Sequence, residues 1–280
     1  VLVYSAYGAK ILSLQPSYAR PVLAVGGTHF AVYNRAGNEL TICSRTRTLY
    51  SQSFDAGILL CAMSNNNSLA VVTESGRYAA QVQVFDPSLR LLYSWEMTQS
   101  AGTPIALDFS PDSRRFAAGM LSAREGQLSC SVYFMSMDAN AEGPVYTADQ
   151  GSMLLRLDWQ SERRVMAVFD TYLAVLDPTT GTETARYDYG GAALQSVAPG
   201  RRQTALLLTV RGGNNLVTLS ETLTPMAEIP ARQAFGVSAT DTDIYLLCPD
   251  AVECYGYDGV QNWVYSDLAS RPLAVVNAAK

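Results

Sequence analysis

Histidine and lysine are nearly missing from this chain of 280 residues. His29 is the single histidine, and the only lysines are Lys10 and Lys280. One histidine excludes a His-rich metal site, and so few lysines argue against Schiff-base chemistry. Charge is scarce as well, at 16% of residues against the roughly 25% of an average domain. A chain so poor in charge and 48% hydrophobic is neither a tail nor a linker. Basic charge is in deficit: the net charge is −5 and the isoelectric point about 5.0, which argues against a nucleic-acid partner. No run of about 18 apolar residues is present, so no helical span is expected, and no signal peptide is visible. The chain opens inside an apparent strand, Val1-Leu-Val-Tyr4, without an initiator methionine. The expectation is an upstream piece, an anchor or a signal.

Cysteine is present but unpatterned. Cys43, Cys61, Cys130, Cys248 and Cys254 are odd in number and irregularly spaced, so they form neither a disulfide framework nor a CxxC metal site. They read as small core hydrophobes. Cys248 and Cys254 flank a short turn, and a pair facing across a hairpin is the alternative for these two.

Amphipathic helical spacing is also absent: no stretch holds a three-to-four period for three turns. What the chain does contain is short apolar runs such as Ser68-Leu-Ala-Val-Val-Thr73, Gln81-Val-Gln-Val-Phe85 and Arg164-Val-Met-Ala-Val-Phe169. They have strand length and are rich in β-branched and aromatic residues. Turn chemistry separates them, as at Ser110-Pro-Asp-Ser113, Asp177-Pro-Thr-Thr-Gly181 and Asp258-Gly259.

One four-strand unit recurs, with starts near Arg20, Gly57, Gly102, Gly151, Gly191, Gln233 and Ser270, at intervals between 37 and 49 residues. That period belongs to the blade of a β-propeller. The expectation is an all-β, seven-bladed propeller of four-stranded antiparallel blades in a single domain over residues 1–280. Its last blade would combine a strand at Pro272-Leu-Ala-Val-Val276 with strands at Val1–Tyr4 and Lys10-Ile-Leu-Ser-Leu14, which removes open sheet edges. Six blades with loose ends is the rival count.

Ala70-Val-Val-Thr-Glu74, Arg77-Tyr78, Val84-Phe-Asp86 and Trp95, followed by Leu107-Asp-Phe-Ser-Pro-Asp-Ser113 and Val132-Tyr-Phe134, resemble a family of uncharacterised propeller proteins from anaerobic Firmicutes. The resemblance covers essentially the whole chain and rests on motifs that build blades. It implies a short cytoplasmic start, one membrane helix and an outward-facing propeller, and it supplies no catalytic residues. More broadly, Asp177-Pro-Thr-Thr-Gly181 with Tyr187, and Asp258-Gly259 with Trp263, are similar to blades of quinoprotein-like and WD40/YVTN propellers, with Tyr187 standing where tryptophan is usual.

Motifs that carry chemistry are few. His29 would have to serve any nucleophile–His–carboxylate triad, yet no GxSxG elbow exists and it reads as a strand-start residue at a turn. Asp241-Thr-Asp243 lacks the rest of a calcium loop, and Gly212-Gly213 lacks a phosphate-cradle pattern. Asp55, Asp149, Asp188 and Asp267 gather where one blade hands over to the next. They read as turn residues or as a carboxylate face for cations or a basic partner. Connections between second and third strands, Thr73–Gln81, Ser122–Gln127 and Val210–Asn215, read as the unusual loops. They carry the candidate binding residues Arg77, Tyr78, Arg124, Glu125 and Arg211.

The resulting expectation is a non-catalytic, extracytoplasmic binding or scaffold module, displayed at the cell surface through a membrane anchor. Its partner would be a protein or a cell-envelope ligand, with no metal, cofactor or nucleic acid. The alternative is a quinoprotein-like or carboxylate-based hydrolytic enzyme with its site in the central channel.

Overall fold

The computed structural model describes residues 1–124, 126–138, 143–200, 202–268 and 272–274; at Arg124 it describes the backbone alone. Among the described residues, apolar runs and turn signals resolve into 26 strands, with one short 3-10 turn at Gln99–Ala101. The first hairpin pairs β1 (Leu2–Tyr4) with β2 (Lys10–Ser13). Six four-stranded sheets follow in chain order. They are β3 (Pro21–Val25), β4 (His29–Asn34), β5 (Glu39–Ser44) and β6 (Thr48–Ser53); then β7 (Ile58–Met63), β8 (Leu69–Thr73), β9 (Ala80–Phe85) and β10 (Leu91–Met97). Next come β11 (Thr103–Phe109), β12 (Arg115–Arg124), β13 (Gln127–Ser136) and β14 (Val145–Thr147), and β15 (Leu154–Ser161), β16 (Arg164–Phe169), β17 (Tyr172–Asp177) and β18 (Thr182–Asp188). The last two are β19 (Ala193–Pro199), β20 (Thr204–Val210), β21 (Gly213–Leu219) and β22 (Pro225–Pro230), then β23 (Gly236–Ala239), β24 (Asp243–Leu247), β25 (Val252–Gly256) and β26 (Gln261–Tyr265). These are the antiparallel blades of a β-propeller, numbered one to six below. Each starts within three residues of the boundary read from sequence.

Six blades are complete among the described residues, and the seventh is represented by β1–β2. Of the C-terminal strand expected at 272–276, residues 275 and 276 lie outside the described residues, and 272–274 carry no strand. The β1–β2 hairpin still does a blade's work on its neighbour. Val3, Leu12, Leu14 and Tyr18 pack on Phe30, Val32 and Cys43 of blade one.

Burial follows strand position. The middle strands β8 and β17 are buried along their whole length, whereas the outermost β6 is mostly exposed. A strand covered on both faces has to be apolar at every position, which is why these strands read as unbroken hydrophobic runs. Cores form between consecutive blades. Val72, Val82, Val84 and Met97 of blade two meet Phe109, Phe116 and Met120 of blade three.

The chain divides into two compact units, Val1–Val165 with Asp177–Thr182, and Met166–Leu176 with Glu183–Lys280. In the first, handover loops are tied to the hairpin beside them. Phe54 N–H donates to Asn38, Glu74 N–H to Gly57 at 2.9 Å, and Gly151 N–H to Leu128. In the second, Val217 and Leu219 of blade five pack with Leu173 and Val175, and Tyr187 packs against the same cluster. The aromatic that closes the Asp177 motif is therefore an interblade residue, as its sequence context implies.

Two sequence expectations need correction. The segments Ser122–Gln127 and Val210–Asn215 are not loops. Pairing runs to Arg124↔Gln127 and Val210↔Gly213, which leaves two-residue turns. Gly126 and Gly212 take φ of +78° and +96°, and glycine at positive φ is what a tight hairpin turn requires. Polar residues near the tips read as loop because a protruding hairpin carries them on solvated faces. Cys248 and Cys254 are not across from each other either. Cys254 stands opposite Tyr245, Cys248 lies in the turn after β24 and packs with Ile244 and Tyr255, and all five cysteines are free thiols.

Candidate functional site

Among the described residues, the longest connection between a second and a third strand is 74–79, in blade two. Ser75 Oγ organises it by accepting the N–H groups of Arg77, at 3.4 Å, and Tyr78, at 3.1 Å. The Arg77 guanidinium then lies 5.5 Å from the centre of the Tyr78 ring. A hydrogen bond to Glu96 and the negative charge of that carboxylate hold the Tyr78 hydroxyl above the ordinary tyrosine range. Two of the expected binding residues are thus adjacent and preorganised. Arg124 ends β12 at the hairpin tip of blade three, Glu125 lies outside the described residues, and Arg211 occupies the exposed tip of the β20–β21 hairpin in the second unit.

Beside the 74–79 loop a groove of about 420 Å³ opens between blades one and two. Blade one contributes Gln52 and Ser53, and the handover segment adds Phe54, Asp55 and Ala56. Blade two contributes Thr73 and Glu74 from the end of β8, with Gln81, Gln83 and Phe85 from β9. On β9 the burial alternates: Ala80, Val82 and Val84 are buried toward blade three, and residues 81, 83 and 85 face the groove. The Phe54 and Phe85 rings meet edge to face at 6.1 Å. Leu40, Leu69 and Leu89 complete a small apolar cavity with them and Gln52.

The polar lining is largely unspent. Among the described residues, no hydrogen bond or ion pair reaches the carboxylates of Asp55 and Glu74 or the amide of Gln83. Gln81 donates to Ser94 Oγ at 3.2 Å. Of the handover carboxylates singled out in sequence, Asp55 lines this groove, whereas Asp188 pairs with Arg186 at 3.7 Å.

A second constellation sits on the first strands of blades three and four. The tripeptides Leu107-Asp108-Phe109 and Leu157-Asp158-Trp159 repeat. Asp108 Oδ2 accepts the Trp159 N–H at 2.6 Å and Oδ1 accepts the Phe109 N–H at 3.0 Å. Burial pushes Asp108 up to about 6 against the pull of the Trp159 hydrogen bond, and the Asp158 charge adds to the rise. Burial also raises Asp158, opposed by Arg156 at 4.0 Å. Both Asp108 oxygens are engaged by backbone, so this carboxylate ties β11 to β15.

A larger cavity of about 560 Å³ lies in the second unit, among Arg202, Gln203, Tyr257 and the 240–242 turn. Its central groups serve the turn itself: Tyr257 donates to Thr240 O at 3.0 Å, and Thr240 Oγ1 accepts the Asp243 N–H at 2.8 Å. His29 begins β4 as expected, its backbone N–H held by Asn67 Oδ1 at 3.0 Å. Among the described residues, no three His, Cys, Asp or Glu side chains come together to hold a metal ion.

Sequence reading misses Gln52, Glu74, Gln81 and Gln83. The signal is present in Gln81-Val-Gln-Val-Phe85. A third strand of a blade is expected to be apolar on both faces, and glutamine at every second position marks a polar face between blades.

Residues 1–219 match the model of a family of unknown function, DUF5711. No curated protein sequence matches the chain. Among solved structures it is similar to the computationally designed Ika8 protein, with 13% identity, a TM-score of 0.71, and coverage of 96% of this chain and 81% of that one. It is also similar to the Pan2 WD40 domain of Neurospora crassa, with 10% identity, a TM-score of 0.60, and coverage of 85% and 75%. Hydrazine synthase of Kuenenia stuttgartiensis follows, with 11% identity, a TM-score of 0.62, and coverage of 88% and 79%. At such identities these likenesses carry the fold alone.

Proposed function

Since the chain belongs to DUF5711, a family without an assigned activity, we propose from its own residues that it is a non-catalytic binding or scaffold module. Its partner is a protein or another ligand of the cell envelope. The observation that carries this reading is the groove between blades one and two. It presents Asp55, Glu74 and Gln83, whose side chains have no polar partner among the described residues, beside a loop in which Arg77 is stacked on Tyr78. Rigid strands displaying unspent polar groups next to aromatic and guanidinium contacts make a recognition surface. Extracytoplasmic display through a membrane anchor is the finer part of the proposal. It rests on the resemblance of Ala70–Glu74, Arg77-Tyr78 and Trp95 to membrane-anchored propellers.

The hydrolytic alternative needs a carboxylate pair with free oxygens. The best-placed acids on neighbouring first strands are Asp108 and Asp158, and Asp108 has committed both oxygens to backbone N–H groups. That favours the binding reading.

The test is recovery of envelope proteins on immobilised chain, wild type against the triple variant Arg77→Ala, Tyr78→Ala, Arg124→Ala. Loss of a partner with the triple variant is expected. Unchanged recovery of every partner overturns the reading.

A further inference from the structure

We infer that the groove between blades one and two receives an extended peptide segment of a partner protein. That segment carries a lysine or arginine and, four positions away, an apolar side chain. This rests on the binding-module reading above and names the chemistry of its partner.

Charge comes first. The groove is lined by two carboxylates and by no lysine or arginine. Neither Asp55 nor Glu74 has an internal counter-charge among the described residues. Two uncompensated carboxylates repel phosphates and other anions and favour a cation. Glu74 is also positioned: its carboxylate lies against Gly57, where a Cβ would stand 3.0 Å from Oε2, and its N–H is bound to Gly57 O at 2.9 Å.

Period comes second. Gln81, Gln83 and Phe85 line the groove at every second residue of β9. Their spacing is roughly 6.8 Å, the same-side repeat of an extended peptide. Glutamine amides both donate and accept, which suits a peptide backbone that presents N–H and C=O in turn. The Gln83 amide has no partner of its own among the described residues.

Polarity along the groove comes third. Gln81 stands opposite Thr73, the neighbour of Glu74, and Phe85 stands opposite Leu69. The Glu74 end and the apolar end, with Phe54, Phe85 and the cavity beneath them, are therefore four residues apart on β9, roughly 13 Å, and Asp55 follows Phe54 in the chain. A basic side chain and an apolar one four positions apart in an extended segment meet those two ends together.

The experiment is fluorescence polarisation with a labelled seven-residue peptide that places arginine and leucine four positions apart in a serine–threonine background. A glutamate-for-arginine peptide and a neutral N-acetylglucosamine oligomer serve as comparison probes. Wild type should bind the basic peptide at least tenfold more tightly than the glutamate peptide, with affinity falling as salt rises. Asp55→Asn with Glu74→Gln should lose about tenfold for the basic peptide. Both are near-isosteric changes at exposed positions, and Gln83→Ala is a second variant expected to weaken binding without altering charge. Equal binding of both peptides, binding unaffected by all three substitutions, or binding of the oligomer alone overturns the inference. If the basic peptide fails while envelope partners are still lost with the Arg77, Tyr78 and Arg124 variant, this inference falls and the binding-module reading stands. If neither assay shows site-dependent binding, both fall.

Discussion

At the scale of single residues, aspartate does most of the specialised work, in two opposite electrostatic settings. Asp86 follows the third strand of its blade, Asp177 ends that of its own, and both turn back on their own chain. Asp86 Oδ1 accepts the N–H of Ser88 and of Arg90, and Asp177 Oδ1 accepts both the N–H and the hydroxyl of Thr179. Such bonds favour the charged form and hold both carboxyls below the ordinary range. Asp108 is the reverse case, a carboxylate drawn out of water and pushed up to about 6. The sign of its linkage follows. Between about pH 4 and pH 6 the folded chain holds a proton at Asp108 that the unfolded chain has lost, so stability falls as pH rises through that window and is level above it. A tenfold difference in proton affinity between the folded and unfolded chain corresponds to about 1.4 kcal/mol. Asp86 and Asp177 act only below about pH 4, where their stabilisation is lost on acidification. Asp108→Asn should therefore flatten the fall in urea midpoint between pH 4 and pH 6. Below about pH 4 it should also cost about 1–2 kcal/mol, because one of two backbone N–H donors loses its acceptor, and this deficit should shrink as pH rises through the window. Parallel pH profiles for variant and wild type would assign the slope elsewhere.

At the scale of elements, strand type is readable from pattern, but the ends of strands and the contacts between blades are not. Leu69-Ala-Val-Val72 and Leu173-Ala-Val-Leu176 announce buried middle strands because both their faces need apolar cover. The β12–β13 hairpin is longer than its apolar runs suggest. Its ten-residue strands pass through Ser122, Ala123 and Arg124, where no apolar run marks a strand. Gly119 marks another limit. Nothing in the local sequence explains a glycine in mid-strand, yet a Cβ there would collide with Leu154 Cδ2 and stand 3.3 Å from Ala106 Cβ. The residue is small because β15 of the next blade presses on β12. Gly119→Ala should destabilise by about 1–3 kcal/mol in denaturant melts. Adding Leu154→Ala should make the combined loss less than the sum of the two single losses, a coupling that simple additivity would disprove.

At the scale of the whole molecule, repetition explains how a chain with so little charge buries a large core. Within each unit consecutive blades cover one another, and middle strands such as β8 and β17 are apolar on two faces. The cysteines belong to that core. Four are buried outright, and burial raises the Cys43, Cys61 and Cys254 thiols and pushes Cys248 up to about 11. Since the thiolate is the reactive form, the native protein should give a near-zero titre with Ellman's reagent at pH 8, and five thiols in guanidinium. A fast native thiol would contradict this packing.

The sequence by itself determined the strand content, the blade period and the turns. These depend on local chemistry: alternation and branching within a run, Asp and Gly at a reversal, and aromatics at fixed intervals. The tertiary structure alone decided the groove. Gln52 on β6, Asp55 in the handover, Glu74 after β8 and the Gln81–Gln83–Phe85 ladder on β9 are spread over more than thirty residues of chain and two blades. Apart from the alternating glutamines of β9, each looks like an ordinary turn or surface residue where it stands. Only the packing of two neighbouring sheets gathers them into one cavity, where among the described residues the side chains of Asp55, Glu74 and Gln83 have no polar partner. That proximity is a long-range property, which no local pattern encodes.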